Sequence, residues 1–269
     1  MGKVLLQTAL FVGLFFATWW GLGSIRWMET FRIRTFTNEK QAQLSEWLLE
    51  IQRAEKTEIE DEAILGKIRK IKQVICERNG IDTDQIKVHV FDDAEINAFA
   101  MPGGHIVVNT ELINYCDNAD MLAGVMAHEI AHVRMEHVSR RLTREIGIGT
   151  LLALSGGGEH LGTLKEILHT LSSRSFDREH EREADKQAVV FIRTSEGDPR
   201  QLAYFLRKLA DKHSKMPEVM QWISTHPEAQ ERVEYILAAT RQDKTATSIL
   251  AEGEWKELKE AVSASKWAD

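Results

Sequence analysis

His128-Glu129-Ile130-Ala131-His132 is the stretch from which this 269-residue sequence is best read outward. It lies in a run from Ala119 to about Arg141 in which Leu122, Val125, Met126, Ile130 and Val133 recur at helical spacing. Asn118 or Asp120 is available there as an N-terminal cap. The spacing predicts one helix. Two histidines four residues apart stand one turn above each other on the same helix face, so both imidazoles can reach one metal ion. Glu129 leans towards the same space, where a carboxylate can accept a proton from a metal-activated water. A pattern this short also arises by chance, so its context decides what it means.

A catalytic metal held by two histidines needs a third protein ligand and keeps one position open. The candidate stretch is Phe176-Asp177-Arg178-Glu179-His180-Glu181-Arg182-Glu183-Ala184-Asp185, which enters a second helix running through Ala188, Val189, Val190 and Ile192 to Gly197. Glu181 and Asp185 share a face, and Ala184 and Ala188 are small enough for close helix packing. One carboxylate can bind the metal while the other accepts the N–H of a ligand histidine. Taken alone, the same stretch also reads as a charged, solvated helix. Between Ile86 and Asn109 the apolar period is two. Strands are predicted around Val88–Phe91, over Asn97–Met101 and over His105–Asn109, the last two joined across Pro102-Gly103-Gly104. Thr110 can cap a helix beginning at Glu111. His105, His137, His160 and His169 carry no motif and are read as core or surface residues, not ligands.

Further on comes Ser224-Thr225-His226-Pro227, followed by Glu231-Arg232. With these in place, the region from roughly Ile64 to Ala239 resembles the HtpX/BepA-like group of gluzincin zinc metallopeptidases, relatives of the CAAX prenyl proteases. Three separated motifs match in order and distance: HEIAH, EREAD and the His-Pro segment. The resemblance implies an α+β, mostly helical zincin-type domain with a small β-sheet or hairpin, holding one Zn2+ per chain. It implies His128, His132 and Glu181 as zinc ligands, Glu129 as general base, and Asp185 as the carboxylate behind a ligand histidine. It implies that Asn97, Ala98, Phe99 and Ala100 offer an edge to which a substrate strand adds. His226 matches a position that assists the oxyanion or closes the open zinc position; as the residue ahead of Pro227 it also reads as a helix-entry residue. The implied activity is metalloendopeptidase, acting on misfolded or unassembled membrane and envelope proteins. The rival is a tethered chaperone or adaptor with a closed structural zinc.

Outside that region, Val4 to Gly23 contains no charged residue, is rich in Leu and Phe, and has Trp19, Trp20 and Trp27 at its far end. Twenty helical residues span about 30 Å, the thickness of a bilayer core, so residues 1–24 read as a single transmembrane anchor or an uncleaved signal. Lys3 on one side and Arg26, Arg32 and Arg34 on the other leave orientation open on charge; the resemblance places the catalytic domain in the periplasm. Residues 25–63 read as an amphipathic helical linker, 64–240 as the peptidase domain and 241–269 as a polar tail able to form a short helix around Trp255 to Trp267. Ile146 to Leu154, ending in Gly156-Gly157-Gly158, is too short to span a membrane and reads as a core helix or a hydrophobic flap. The apolar fraction is 43%, charged residues make up 28% and the net charge is −7, a folded globular composition without the basic stripe that nucleic acid requires. Cys76 and Cys116 sit at no zinc-binding spacing; they are one disulfide or two buried thiols.

Overall fold

A computed structural model describes residues 38–147, 161–173, 175–213, 222, 225, 226, 229–243 and 246–265, together with Lys3, Gln7, Val12, Gly13, Phe15, Phe16 and Thr18. The last seven are helical and belong to a separate unit, Met1–Thr37. The rest of the apolar run Val4–Gly23 lies outside the described residues, as do residues 148–160. No helix among the described residues is long and apolar enough to cross a membrane.

The second unit, Asn38–Asp269, carries the site. Its first helices are α1 (Asn38–Glu55) and α2 (Glu62–Arg78). Leu44, Leu48, Leu49 and Ile51 of α1 are buried, as are Ile64, Ile68, Ile71 and Ile75 of α2, the stripes that the sequence spacing marks. Asp61 caps α2 by accepting from the Ala63 N–H at 2.8 Å, and Asn79 with left-handed Gly80 ends it.

Three strands follow: β1 (Lys87–Phe91), β2 (Ala98–Ala100) and β3 (His105–Asn109). The hairpin is present, with β2 antiparallel to β3, but β3 also pairs in parallel with β1, giving the order β1-β3-β2. The turn between β2 and β3 needs its glycines. A Cβ on Gly104, at φ 85°, would fall 1.9 Å from the Gln85 carbonyl oxygen. Register puts Val88, Val90, Ala98, Ile106 and Val108 on one face, turned to the main core, and His89, His105, Phe99 and Val107 on the other.

The helices that build the site are α3 (Thr110–Tyr115), α4 (Ala119–Arg134), α5 (His137–Glu145), α6 (Leu161–Ser173), α7 (Arg178–Thr194), α8 (Arg200–His213) and α9 (Ala229–Ala239). Asn118 is the cap of α4, its Oδ1 accepting from the Met121 N–H at 2.9 Å. Asp120 instead accepts the N–H groups of Ile249 and Asp198. Thr110 does not cap α3 through its side chain; its hydroxyl donates to Asp92 Oδ1 at 2.9 Å. The single helix expected from Ala119 to Arg141 is two. The chain leaves α4 after Arg134, Glu136 takes a left-handed conformation at φ 57°, and α5 starts in a new direction.

The C-terminal stretch, expected as a polar tail able to form a short helix, contains one that packs into the core. Helix α10 (Glu252–Ser265) buries Trp255, Leu258 and Val262 in the main core, each worth roughly 1.5–3 kcal/mol. Lys259 spends its ammonium hydrogens on the carbonyls of Ile113, Asn114 and Cys116, which frees those groups from seeking solvent. Likewise the stretch 38–55, read as part of a linker, packs as α1, with Ser45 donating to the Pro102 carbonyl at the hairpin turn. Cys76 and Cys116 are buried free thiols, pushed up by burial to about 11 and about 12.

Candidate metal centre

Helix α4 is almost wholly buried, because its small residues let neighbours approach on several sides. At Gly124 an added Cβ would meet the Leu202 Cβ of α8 at 3.1 Å. On another side Ala184 and Ala188, both 0% exposed, let α7 lie close against α4. That contact brings the second carboxylate run onto the two histidines. His128 Nε2 and His132 Nε2 are 3.0 Å apart, and Glu181 lies at 3.5 Å from the first through Oε2 and 3.3 Å from the second through Oε1.

The fourth member comes from between α8 and α9. His226 Nδ1 is 2.8 Å from Glu181 Oε1 and 3.2 Å from His128 Nε2. Thus one donor atom each from His128, His132, Glu181 and His226 falls within 4.8 Å of the others, all four residues buried. His226 is fixed from behind. Trp222, fully buried, stacks on its ring at 4.4 Å, and the Trp222 N–H donates to the Ile96 carbonyl just ahead of β2.

Asp185 stands behind His128, with Oδ1 at 2.9 Å from Nδ1, where a carboxylate can hold a proton on Nδ1 and turn Nε2 to the centre. Arg232 of α9 holds both carboxylates. It reaches Asp185 through Nε and Nη2 at 2.7 Å each, Glu181 Oε2 through Nη1 at 2.7 Å, and the His226 carbonyl at 3.1 Å. Tyr235, one turn on, donates its hydroxyl to Asp185. Sequence reasoning quoted Arg232 and Phe176 without giving either a role, and it missed Tyr235 and Trp222. A readable signal existed for Arg232: it shares a helix face with Val233 and Ile236, which a solvated arginine avoids.

Glu129 points to the other side of the centre. Its Oε2 accepts the Ala100 N–H at 3.0 Å, and its Oε1 lies 3.3 Å from His226 Nε2. Ala98, Phe99 and Ala100 are buried, as is Asn97, whose side chain donates to the Ser172 carbonyl of α6. His132 is flanked by Phe176, stacked at 4.1 Å, and its Nδ1 lies 3.1 Å from His137 Nδ1. His137 is therefore a neighbour of the centre, while His105 is buried in the sheet and His169 is exposed on α6. His160 lies outside the described residues.

Burial dominates the ionisation here, and the charges then sort the groups. It holds His132 well below the usual imidazole range, which keeps its lone pair free, and it raises Glu129. Burial also opposes ionisation of Glu181, but His226, Arg232 and His128 outweigh it and keep that carboxylate charged. His128 is pulled up against burial to about 9 by Asp185 and Glu181. His128 Nε2 and His132 Nε2, 3.0 Å apart with the Glu181 carboxylate and His226 beside them, form a buried donor set into which a divalent cation would fit. The donor set is two or three imidazole nitrogens and one carboxylate oxygen, which fits zinc.

Residues 66–240 match the profile of Peptidase family M48, and the chain belongs to that family. It is 34% identical over 161 residues to the beta-barrel assembly-enhancing protease of Escherichia coli, covering 54% of this chain and 32% of that protein. A protein of the same name from Yersinia pestis is 29% identical over 174 residues, 58% of this chain and 34% of that one. The human mitochondrial metalloendopeptidase OMA1 is 28% identical over 191 residues, 62% of this chain and 36% of the relative. The chain thus spans about a third of the length of these relatives.

Proposed function

We propose that the protein is a zinc-dependent metalloendopeptidase in which His128, His132 and Glu181 hold the metal and Glu129 is the general base. The observation that carries this reading is the meeting of the α4 histidines with Glu181 in one buried cluster, with Glu129 beside it. Zinc in that cluster supplies Lewis acidity toward water and toward the scissile carbonyl. The protein's own part is positional. Ala100 fixes one oxygen of Glu129, leaving the other to take a proton from the attacking water and return it to the leaving amine. Burial raises the Glu129 carboxyl above its usual range. Asp185 and Arg232 orient His128 and Glu181 and keep the cluster's charge in balance.

His226 occupies the space where a fourth ligand closes the site, so this arrangement is a closed one, and substrate enters when His226 and Trp222 withdraw. A substrate strand then pairs along Asn97–Ala100, whose neighbour Ile96 is now bonded to Trp222. An adaptor with a purely structural zinc has no use for a carboxylate held ready by Ala100, so the peptidase reading is preferred. The apolar run Val4–Gly23 tethers the domain to a membrane, with the catalytic unit on the periplasmic side, a reading supported by the uncharged run and by the likeness to a protein named beta-barrel assembly-enhancing protease. The substrates are then misfolded or unassembled membrane and envelope proteins. Casein digestion that stops with chelator, returns with zinc, and rises in His226→Ala is the expected result. Digestion indifferent to chelator sinks the reading. Protease accessibility of the domain in intact and permeabilised cells tests its side.

A further inference from the structure

The two α4 histidines are oriented differently. His128 has a carboxylate directly behind it in Asp185. His132 has none. Its Nδ1 instead lies 3.1 Å from Nδ1 of His137, a fully buried residue, and His137 Nε2 lies 3.2 Å from Glu183 Oε2 on α7. Two ring nitrogens at that distance bond only if one carries the hydrogen. Glu183 accepts, so His137 carries its hydrogen on Nε2 and presents a lone pair at Nδ1. The hydrogen between the rings then belongs to His132 Nδ1, which leaves His132 Nε2 bare towards the cluster.

We propose that His137 is a positioning residue for the metal, fixing the tautomer and ring plane of His132 through a His132–His137–Glu183 chain. This rests on the peptidase reading, since it needs His132 as a ligand. The local fold is built for it. The left-handed Glu136 turns the chain so that α5 begins with His137 beneath His132, and His180 of α7 stacks on the other ring at 4.3 Å. Phe176 closes the outer face of His132 and is itself covered by the buried Arg141 guanidinium at 4.6 Å. His132 is therefore held in its plane by an aromatic face and in its tautomer by a relay that ends on a half-exposed carboxylate.

The test compares His137→Phe, which keeps a ring but offers no acceptor, with His137→Asn, whose amide oxygen can accept from His132. Zinc affinity is read by competition with a chromophoric chelator, and the visible spectrum is read with cobalt in place of zinc. His137→Phe is expected to weaken zinc binding roughly 10–100-fold and to shift the cobalt bands, with most of both restored in His137→Asn. Metal-free melting temperatures, measured alongside, separate this from a packing role. Equal losses in Phe and Asn, or zinc affinity within twofold of the parent in Phe, overturn the proposal. Glu183→Ala, at a half-exposed position that does not threaten folding, should lower zinc affinity several-fold; an unchanged affinity there also overturns it. A parent protein that binds no zinc at all overturns the peptidase reading itself.

Discussion

Two groups of histidines in this molecule do different things. On one face of the sheet, Glu58 Oε1 meets His89 Nδ1 at 2.7 Å, and His89 Nε2 meets His105 Nδ1 at 3.0 Å, the rings stacked 3° from parallel. Glu58, His89 and His105 are joined in a line along which hydrogens can alternate, ending at His105 Nε2, which makes no hydrogen bond among the described residues and lies 4.0 Å from Glu46 Oε1. Beyond the edge of β2, by contrast, His128, His132 and His226 turn their nitrogens to a common point shared with Glu181. A line passes hydrogens from one member to the next; a convergence of this kind could hold a cation. Histidine content and burial do not tell the two apart, and the direction of the lone pairs does.

If that contrast is right, changes at the convergent group alter chemistry and metal, and changes at the linear group alter only stability. The largest effect is expected for Glu129→Gln. Proteolysis of casein should fall by roughly 10²–10⁴-fold with zinc content intact, and an equally active variant removes the base assignment. Next, Glu181→Ala should lose zinc outright by elemental analysis, leaving Arg232 with Asp185 alone. Arg232→Met should cost about 3–5 kcal/mol in urea unfolding, because it leaves two buried carboxylates facing each other; a loss below 1 kcal/mol would show that the pair is not buried in solution.

The smallest effect belongs to the linear group. Burial holds His105 down at about 4, while the unfolded chain titrates near 6.5. Between those values the unfolded state binds a proton that the folded state refuses. The stability that His105 contributes above 6.5 is therefore lost as pH falls towards 4. Lys87, Arg53 and His89 lie around it and hold it in the same direction. His105→Gln should flatten the fall of melting temperature across that window by a few degrees and leave zinc affinity unchanged. An altered zinc affinity would dissolve the distinction between the two groups.

Much of the convergent group was legible because helical spacing alone puts His128 over His132 and Glu181 over Asp185. The division of labour between the two carboxylates was not, since it depends on how α7 lies across α4. His137 was set aside because no motif surrounds it, and helix geometry gave no reason to look again. In one unbroken helix, five residues past His132 falls about 140° around the axis, away from the site. The left-handed Glu136 cancels that rotation, and a non-glycine residue announces such a turn weakly. The hairpin was readable from its alternation and its Pro-Gly-Gly turn, whereas the parallel pairing of β1 required knowing that α2 packs beneath it. Cores distributed over distant segments were hardest to see: α10 holds Trp255, Leu258 and Val262 in a core begun by α2, yet most of its residues are polar.

Metal analysis of the purified protein beside a His128→Ala, Glu181→Ala double variant tests the central claim most directly. The account expects one zinc per chain in the parent and none in the variant. Zinc that persists in the variant at the parent's stoichiometry, or a parent that takes up none when zinc is supplied, contradicts it.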